Sequence, residues 1–526
     1  MIETLKLKAE KLPLSDTAAF SSTLLDYLDQ HPRLQDLVGA YPSVESFEST
    51  IANRSFPQEN RDRLVKVLNQ QYSDLVLSEK LIKNITSLNK ENCYTVTTGH
   101  QLNIYTGPLF FIYKIVSTIK ACDVLKSHYP DYHFVPVYWM ASEDHDFQEI
   151  NHFNLFGETF RWECSQKGAV GHFELDGLAD IADKIRGCPE FFKEAYRDSE
   201  SLADATRKIA NHLFGDYGLV VLDPDHKELK RSFSSVIKDE LIQQSIVEKV
   251  SESSEKLNEY GYKTLVTPRK INLFYLTNGV RERIVENDAE WQVLNTDITF
   301  DKNQLLKELD DHPERFSPNV ITRTLYQETI LPNLAYIGGP GELSYWMQFK
   351  SSFEHYEIPF PILIPRNNAL VINKGLVKKV QKLGLNAAEL FLKPEDLKAA
   401  YVERNTEVTL DLNQEQDQVK QVFAKIVEKI RNIDGSLTGY LKAEENKVHK
   451  SLLQIEKRLR KAEEQNHEVS VNQLLSLKEK LFPDGNLQER HANFLSIYMN
   501  NPQFIDDLME VFDPFDFQFY VLFENG

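Results

Sequence analysis

The feature that most constrains this chain is a repeated pattern: a short apolar run ends in a loop of small or charged residues, and a helical pattern follows. The clearest run, residues 132–140 (YHFVPVYWM), is continuous rather than alternating, which is typical of a strand buried on both faces of a parallel sheet. Similar runs lie at residues 93–98, 218–223, 334–337 and 360–364. The pattern predicts an α/β fold with a Rossmann-like, doubly wound parallel sheet, and chemistry at the carboxyl ends of its strands.

Changes in amino-acid composition and apolar periodicity along the chain predict four regions. They are a helical lead-in packed on the core (1–91), the Rossmann-like core with insertions at about 152–190 and 261–325 (92–385), a helical coiled-coil arm (386–482), and a C-terminal segment whose apolar end packs back on the core as a strand or hook (483–526).

Within the arm, apolar residues recur mostly at steps of three and four from Val419 to Leu459, which predicts a coiled-coil seam. Gly435 and Gly439 weaken its middle, so the seam is expected to form two helices. Two interpretations stay open at this point: a helical hairpin packed on its own chain, or an arm through which a homodimer forms.

Composition excludes several classes of protein. The 526 residues include 79 Asp and Glu against 60 Lys and Arg, a formal net charge of −19, which argues against a role in binding nucleic acid. The four cysteines form no C-x-x-C pair, which predicts neither disulfides nor a zinc site and favours a reducing cytoplasm. The apolar runs fall far short of the roughly 20 residues that a membrane span needs, so no membrane association is predicted.

The first candidate loop is T-G-H-Q-L-N-I-Y-T-G-P at residues 98–108, between a predicted strand and a predicted helix. Its glycines permit tight turns, and the free N–H groups at the start of the helix would attract a phosphate or a carboxylate. The candidate nucleotide-binding residues here are Gly99, His100, Gln101, Thr106 and Gly107. The alternative is a structural turn that carries an exposed histidine.

The second candidate loop, Glu143, Asp144, His145 and Asp146, places three carboxylates and an imidazole together at the end of a strand. Acids this close raise one another's pKa and favour a cleft that contains a cation, an amine or donor groups. The spacing matches no zinc signature, so no metal site is predicted. The alternative role for Asp144 or Asp146 is to cap a helix.

A third loop follows the run at residues 334–337 and contributes Gly338, Gly339, Gly341 and Glu342. It could lie close to a phosphate or a ribose, but it matches no P-loop and no complete dinucleotide fingerprint.

Two arginines are candidates for binding an anionic group through both arms of the guanidinium. They are Arg323, and Arg366 with its neighbour Asn367. A surface ion pair is an equal alternative for each arginine taken alone.

Four motifs, in this order, resemble those of the bacillithiol biosynthesis cysteine-adding enzymes. They are T-G-H-Q-x-x-x-x-T-G-P at 98–108, P-V-Y-W-M-A-S-E-D-H-D at 136–146 with E-I-N at 149–151, H-P-E-R-F-S-P-N-V-I-T-R at 312–323, and L-P-N-L-A-Y-I-G-G-P-G-E-L-S-Y-W at 331–346. With the long coil near the carboxyl end, the resemblance spans essentially the whole chain. One departure is His100, where members of the family often have glutamine; this shifts the expected role toward the loop backbone and Gln101.

The resemblance implies a Rossmann-like core with connecting-peptide insertions, related in plan to class I cysteinyl ligases, and a coiled-coil arm that mediates dimerisation. It implies addition of L-cysteine to glucosaminyl-malate, with formation of an amide. Such a reaction needs an activated carboxylate, because oxide and hydroxide are poor leaving groups. Adenylation and phosphorylation both remain open; ATP and Mg²⁺ are the expected cosubstrates, and no zinc is expected.

On this hypothesis the acidic loop supplies the catalytic residues, one carboxylate acting as general base. Substrate binding falls to Asn151, Arg323, Tyr345, Trp346, Arg366 and Asn367, and the two glycine-containing loops hold the nucleotide. An alternative from another class is a non-catalytic nucleotide-binding scaffold that dimerises through the coil, although a scaffold has no need of so many crowded acids. A synthetase-like protein that acts on RNA is disfavoured by the net charge.

Overall fold

The computed structural model describes residues 7–431 and 433–524. The chain divides into two compact units. The first contains the described residues up to Leu370 together with Leu487–Leu522, and the second contains Val371–Asn486 and the described residues from Phe523 onward. Among the described residues, no helix is both long enough and apolar enough to cross a membrane.

The strands of the described residues are β1 Leu7–Pro13, β2 Cys93–His100, β3 His133–Met140, β4 His152–Leu155, β5 Glu158–Arg161, β6 Val220–Leu222, β7 Leu273–Thr277, β8 Val280–Asn287, β9 Glu290–Val293, β10 Thr299–Phe300, β11 Phe316–Pro318, β12 Asn333–Gly338, β13 Ile362–Pro365, β14 Asn368–Ile372 and β15 Gln518–Glu524.

The α-helices are α1 Ser22–Leu28, α2 Ser46–Asn53, α3 Gln58–Gln71, α4 Glu79–Ser87, α5 Phe110–His128, α6 Phe147–Ile150, α7 Asp180–Lys184, α8 Glu190–Arg197, α9 Leu202–Phe214, α10 Lys227–Arg231, α11 Ser234–Ile242, α12 Ser245–Glu259, α13 Lys302–Asp311, α14 Thr322–Ile330, α15 Pro340–Met347, α16 Lys350–His355, α17 Lys374–Lys382, α18 Pro394–Asn405, α19 Asn413–Arg431, α20 Thr438–Asn466, α21 Glu468–Leu481, α22 Gln488–His491, α23 Leu495–Tyr498 and α24 Phe504–Val511.

The core of the first unit is a five-stranded sheet in the order β13-β12-β2-β3-β6, and every neighbouring pair is parallel. The predicted α/β class and the Rossmann-like core are confirmed. After β2 the chain adds β3 and β6 on one side and then β12 and β13 on the other, so the order reverses between β2 and β12. In sheets of this kind such a reversal leaves a crevice at the carboxyl ends of the strands.

Helix α5 connects β2 to β3 and lies against β2, β3 and β12. Most of its side chains are buried, including Ile112, Ile115 and Ile119, as its apolar sequence predicts. One buried position is charged: Lys114 lies in the first half of the helix. A cation there must find its partners inside the protein.

Antiparallel strands lie in both stretches that interrupt the core. The first carries the antiparallel hairpin of β4 and β5. The second carries an antiparallel sheet in the order β10-β9-β8-β7-β11. The charged stretch after β6 forms α10, α11 and α12. Between the last two helices, Gln244 adopts a left-handed φ of 58°.

The apolar chain end forms strand β15, which lies beside β1. In the second unit the predicted break in the coil is confirmed, because α19 ends at Arg431 and α20 begins at Thr438 after a short 3₁₀ turn at Gly435–Leu437. Helices α19 and α20 pack on each other. They nevertheless leave apolar side chains exposed, among them Val422 and Ile455.

Candidate active site at the switch point of the sheet

A cavity of about 760 Å³ opens at the carboxyl ends of β2, β3 and β12, where the order of the core sheet reverses. The second insertion contributes β7, β8 and the segment before β7 to its wall. The polar and charged residues of the lining are His100, Gln101, Lys114, Glu143, Asp144, His145, Thr267, Arg269, Arg281, Asn319, Arg323, Tyr336, Glu342 and Tyr345.

Arg323, on α14, lacks a direct acidic partner among the described residues. One arm donates to the hydroxyl oxygens of Tyr336 at 3.1 Å and Tyr345 at 3.5 Å. The guanidinium also lies 5.5 Å from the ring centre of Trp346. Among the described residues no carboxylate lies within 4.0 Å of it. Burial opposes the charge, yet the phenol oxygens hold the pKa of Arg323 above its ordinary value. This charge is available to an anion in the cavity.

Lys114 and Glu342 form a neighbouring pair that neutralises itself. The ammonium lies 2.5 Å from the carboxylate and donates to the carbonyl of Gly99 at 2.8 Å, and Tyr336 donates to the other carboxylate oxygen at 2.8 Å. Burial lowers the pKa of Lys114, and Glu342 opposes that shift. Burial would raise the pKa of Glu342, but Lys114 and Tyr336 bring it below the ordinary value. The pair fixes the wall beside Arg323.

Glu143, in the loop after β3, faces a buried cation. Lys230, on α10, donates to its carboxylate and, at 3.1 Å, to the carbonyl of Phe316. Lys230 has no exposed surface, and Glu143 is almost as deeply buried. Burial raises the pKa of Glu143, and Lys230 opposes the shift. A carboxyl group in this environment can take up and release a proton closer to neutral pH than an exposed one.

Asp144 is held as a carboxylate by its donors. Gln101 donates to it at 2.9 Å, the backbone N–H of His145 donates at 2.7 Å, and Arg281 lies 3.9 Å away. Burial raises the pKa of Asp144, but the contacts with His145, Gln101 and Arg281 outweigh burial and bring the pKa far below the ordinary value. Glu143 and Asp144 are adjacent in sequence, yet their surroundings shift their pKa values in opposite directions.

Arg281, on β8, fixes the protonation pattern of His145. Its guanidinium stacks on the ring of Phe274 at 4.1 Å and donates to Nδ1 of His145 at 2.5 Å. A guanidinium donates hydrogen bonds and accepts none, so Nδ1 must be the acceptor and the ring proton must lie on Nε2. His145 therefore presents a donor to the cavity.

Comparison with known proteins assigns the chain to a family. It matches the model described as "Bacillithiol biosynthesis BshC, N-terminal Rossmann-like domain" over residues 7–367, and the model described as "Bacillithiol biosynthesis BshC, C-terminal coiled-coil domain" over residues 369–524. The chain belongs to the BshC family of bacillithiol biosynthesis. The resemblance seen in its motifs is confirmed.

Individual BshC relatives cover almost the whole chain. A protein of Cytophaga hutchinsonii named "Putative cysteine ligase BshC" is 42% identical over 508 residues, which make up 97% of each chain. A protein of the same name from Flavobacterium psychrophilum is 44% identical over 493 residues, covering 91% of this chain and 92% of the relative. A third, from Flavobacterium johnsoniae, is 42% identical over 516 residues, covering 96% and 97%.

The structure brings about half of the residues predicted for the BshC-like site into the cavity wall. Nine line it: Gly99, His100, Gln101, Glu143, Asp144, His145, Arg323, Glu342 and Tyr345. The remaining ten lie outside the lining of the described structure: Thr106, Gly107, Asp146, Asn151, Gly338, Gly339, Gly341, Trp346, Arg366 and Asn367.

Only the first part of the motif at residues 98–108 lines the cavity. The side-chain amide of Asn493 donates to the carbonyls of Tyr105 at 2.8 Å and Gly107 at 2.7 Å. The N–H of Leu109 donates to the carbonyl of Ala492 at 2.8 Å. The second half of the loop is therefore packed by the C-terminal segment, while its first half faces the cavity.

His100 is the last residue of β2 and lines the cavity. Its ring packs between Phe110 and Phe111, with centroid distances of 5.2 and 5.1 Å. Burial, with Lys114 and Arg366 nearby, holds the pKa of His100 well below its ordinary value, so the ring is neutral at physiological pH. A neutral ring donates and accepts hydrogen bonds as a glutamine amide does.

The glycine loop after β12 has a packing role. A Cβ at Gly338 would lie 2.8 Å from a methyl carbon of Leu343, and one at Gly339 would lie 3.2 Å from the carboxylate of Glu342. A Cβ at Gly341 would meet no atom within 4 Å, so the backbone is open there. Gly99 is also constrained, because its Cβ would lie 3.1 Å from the hydroxyl of Tyr336 and 3.3 Å from Arg323.

Arg366, Asn367 and Asn151 use their polar groups within the protein. Arg366 donates to Glu489 at 2.6 Å, and both side chains are buried. Asn367 accepts from Ser117 at 3.0 Å and donates to the carbonyl of Asp513 at 2.7 Å. The side chain of Asn151, also buried, contacts His152 and Arg161. Asp146 is exposed at the start of α6, and its side chain caps no N–H of that helix.

Sequence reasoning missed four residues of the site. Lys114 left a usable signal, since it is a charge within an otherwise apolar helix, and Tyr336 lies inside a recognised motif. Lys230 and Arg281 left none, because each belongs to a stretch in which charged residues are common and reaches the site only through the tertiary structure. Among the described residues no group of three or more histidine, cysteine or acidic side chains could hold a metal ion.

Proposed function

We propose that this protein is a cysteine ligase that joins L-cysteine to glucosaminyl-malate through an amide bond and so forms bacillithiol. The proposal is supported by membership of the BshC family and by the names of its close relatives. The observation that carries it is the charge pattern of the cavity: a guanidinium without an acidic partner and two differently tuned carboxylates line the same wall.

The two kinds of charge suit the two substrates. Arg323 would bind a carboxylate of the malate group, because a guanidinium pairs with carboxylate geometry through two parallel hydrogen bonds. Asp144, which stays ionised, would bind an ammonium group of a substrate before reaction. Both side chains reach the cavity from elements at the switch point, Arg323 from α14 and Asp144 from the loop after β3.

The amide-forming step requires a base with a raised pKa. The glucosamine nitrogen attacks the activated carboxyl carbon of cysteine, a C–N bond forms, and the leaving group departs with the electron pair of its bond to carbon. The nitrogen loses a proton, and we assign Glu143 as its acceptor, since burial raises the pKa of this carboxyl group. The Nε2 proton of His145 would be donated to the oxygen that gains negative charge.

Activation of the cysteine carboxylate is proposed to use ATP with Mg²⁺, through an acyl-adenylate or an acyl-phosphate. Mg²⁺ bound mainly by phosphates and water needs only one or two protein carboxylates, so a dedicated cluster is not required. Release of AMP with pyrophosphate would identify the adenylate route, and release of ADP with phosphate the acyl-phosphate route.

The decisive experiment follows product formation by mass spectrometry, with cysteine, glucosaminyl-malate and the purified protein, with and without ATP and Mg²⁺. We expect the amide only with ATP. D144A should abolish it while leaving the fold intact, and K167A, a change at an exposed lysine outside the cavity, serves as the matched control. Absence of product from folded wild-type protein under both conditions would favour the scaffold interpretation.

We also propose that the coiled coil forms a homodimer. Helices α19 and α20 pack on each other but leave three large apolar side chains about half exposed. These are Val422 on α19, and Leu453 and Ile455 on α20. Light scattering coupled to size exclusion should give twice the chain mass of 60.9 kDa. The variant L453E/I455E should give the monomer mass.

A further inference from the structure

A second cavity lies at the opposite end of the core sheet from the candidate active site. It has a volume of about 350 Å³ and is bordered by α4, the amino-terminal end of β3 and the second half of α5. Its charged lining residues are Lys80, Lys83, Lys90, Asp123, Lys126, Asp131 and His133. We call this the lysine groove. Four lysines in one small cavity are unexpected in a chain with a net charge of −19.

The positive charge of the lysine groove is only partly balanced. Lys80 lies 3.9 Å from Asp123, and Lys126 donates to the carbonyl of Tyr132 at 2.8 Å. Among the described residues, Lys83 and Lys90 have no carboxylate within 4.0 Å. Lys83 and Lys90 thus line the groove without an acidic partner among the described residues.

A half-buried histidine forms the floor between these lysines. The buried amide of Asn84 donates to the carbonyl of Gly218 at 2.6 Å, which turns its oxygen toward Nε2 of His133 at 3.0 Å. Nε2 therefore carries the ring proton, and the ring is held in one orientation. Burial lowers the pKa of His133. The positive charges of the four lysines lower it further, so all four act electrostatically on this ring.

We infer that the lysine groove is an anion-binding site for a compact phosphate-bearing molecule. Lysine ammonium groups are flexible point charges, and several of them can contact the oxygens of one phosphate or diphosphate. A cavity of this size accommodates a small molecule but not a polymer.

The site is separate from the candidate active site and does not depend on its proposed function. Helix α5 contributes Lys114 to the cavity at the switch point and Lys126 to the lysine groove. Twelve residues of helix separate the two by roughly 18 Å. A ligand can therefore occupy either site without contact with the other.

Titration with inorganic pyrophosphate in the absence of Mg²⁺ tests the inference. Isothermal calorimetry measures binding, and NMR of the protein labelled in its histidine rings locates it, because the two sites carry different histidines. We expect saturable binding that shifts the signal of His133 and leaves those of His100 and His145 unchanged. K83E/K90E should weaken binding about tenfold or more. The matched change K167E/K184E, at exposed lysines outside both cavities, should leave it within about twofold.

Several outcomes would overturn the inference. Shifts at His100 or His145 without a shift at His133 would place the anion in the other cavity. Equal weakening by both double variants would mean that long-range charge alone attracts pyrophosphate. No saturable binding at millimolar concentrations would also reject it. K83M/K90M, which removes the charges without reversing them, should reproduce the loss if K83E/K90E disturbs the fold.

Discussion

Two arginines that look equivalent in the sequence have opposite surroundings in the structure. Arg366 has its counter-ion inside the protein, since it donates to the buried carboxylate of Glu489 at 2.6 Å. Arg323 lies against two phenol oxygens and an indole, and among the described residues it has no carboxylate within 4.0 Å. A buried cation whose counter-ion lies inside the protein already has its charge balanced, whereas one whose counter-ion is missing favours a ligand that supplies it.

The largest effect is expected at Arg366. R366M leaves the buried carboxylate of Glu489 without its cation, which should lower the free energy of unfolding by about 3–5 kcal/mol. Urea denaturation measures this loss, and R366M/E489M should recover part of it, because no charge is then left unpaired. If R366M keeps wild-type stability and loses only substrate affinity, the two arginines do not differ as described.

The next largest effect is expected at Arg323, on activity rather than stability. R323M should reduce kcat/KM for glucosaminyl-malate by about 100-fold, because a charge-assisted pair with the substrate is lost. Denaturation should place its stability within about 1 kcal/mol of wild type.

R323K is the matched control for this prediction. It keeps the charge but not the fork, so it should restore only part of the activity. Full activity of R323M would remove Arg323 from the binding site.

The two carboxylates of the acidic loop have pKa values shifted in opposite directions, which predicts how the activity depends on pH. The pKa of Glu143 is raised and that of Asp144 is lowered, so the base must lose its proton at a pH above the ordinary carboxyl range while Asp144 stays ionised. The acid limb of kcat/KM should therefore fall as pH decreases through the raised pKa of Glu143. D144N should lower the whole profile by about 10- to 100-fold without moving this limb.

E143Q provides the reciprocal measurement. It should remove the limb along with most of the activity, because glutamine accepts no proton in this range. An unchanged limb in E143Q would transfer the role of base to another group.

The smallest effect is expected at Tyr345. Its hydroxyl lies 3.5 Å from Arg323, at the limit of a hydrogen bond, whereas that of Tyr336 lies at 3.1 Å and also donates to Glu342. Y345F should change kcat/KM by no more than about threefold. A larger loss than in Y336F would show that Tyr345 contacts substrate directly.

Much of the architecture is predictable from local patterns. The continuous apolar run of β3 indicates a strand covered on both faces, and repetition of strand, loop and helix indicates parallel crossovers, because each element must bury its apolar surface against the next. The break near Gly435 follows from the low helix propensity of glycine. These features depend on residues close together in the chain.

The candidate site is only partly predictable. The motifs contain the loops after β2 and β3 and Arg323, and residues of all three line the cavity. Lys230 and Arg281, which set the different surroundings of Glu143 and Asp144, come from α10 and β8 and lie 87 and 137 residues away from the carboxylates they contact. Their spacing carries no signal, since Lys230 on α10 and Arg281 in the second insertion reach the two carboxylates only when the chain folds.

By itself the sequence determined the family, the parallel sheet, the split coil and the loops that reach the carboxyl ends of the strands. Only the tertiary structure decided which charges in those loops are already balanced. Charge balance depends on side chains brought together from distant parts of the chain and on the water they lose. Arg323 and Arg366 differ for this physical reason, although both follow an apolar stretch and carry the same guanidinium.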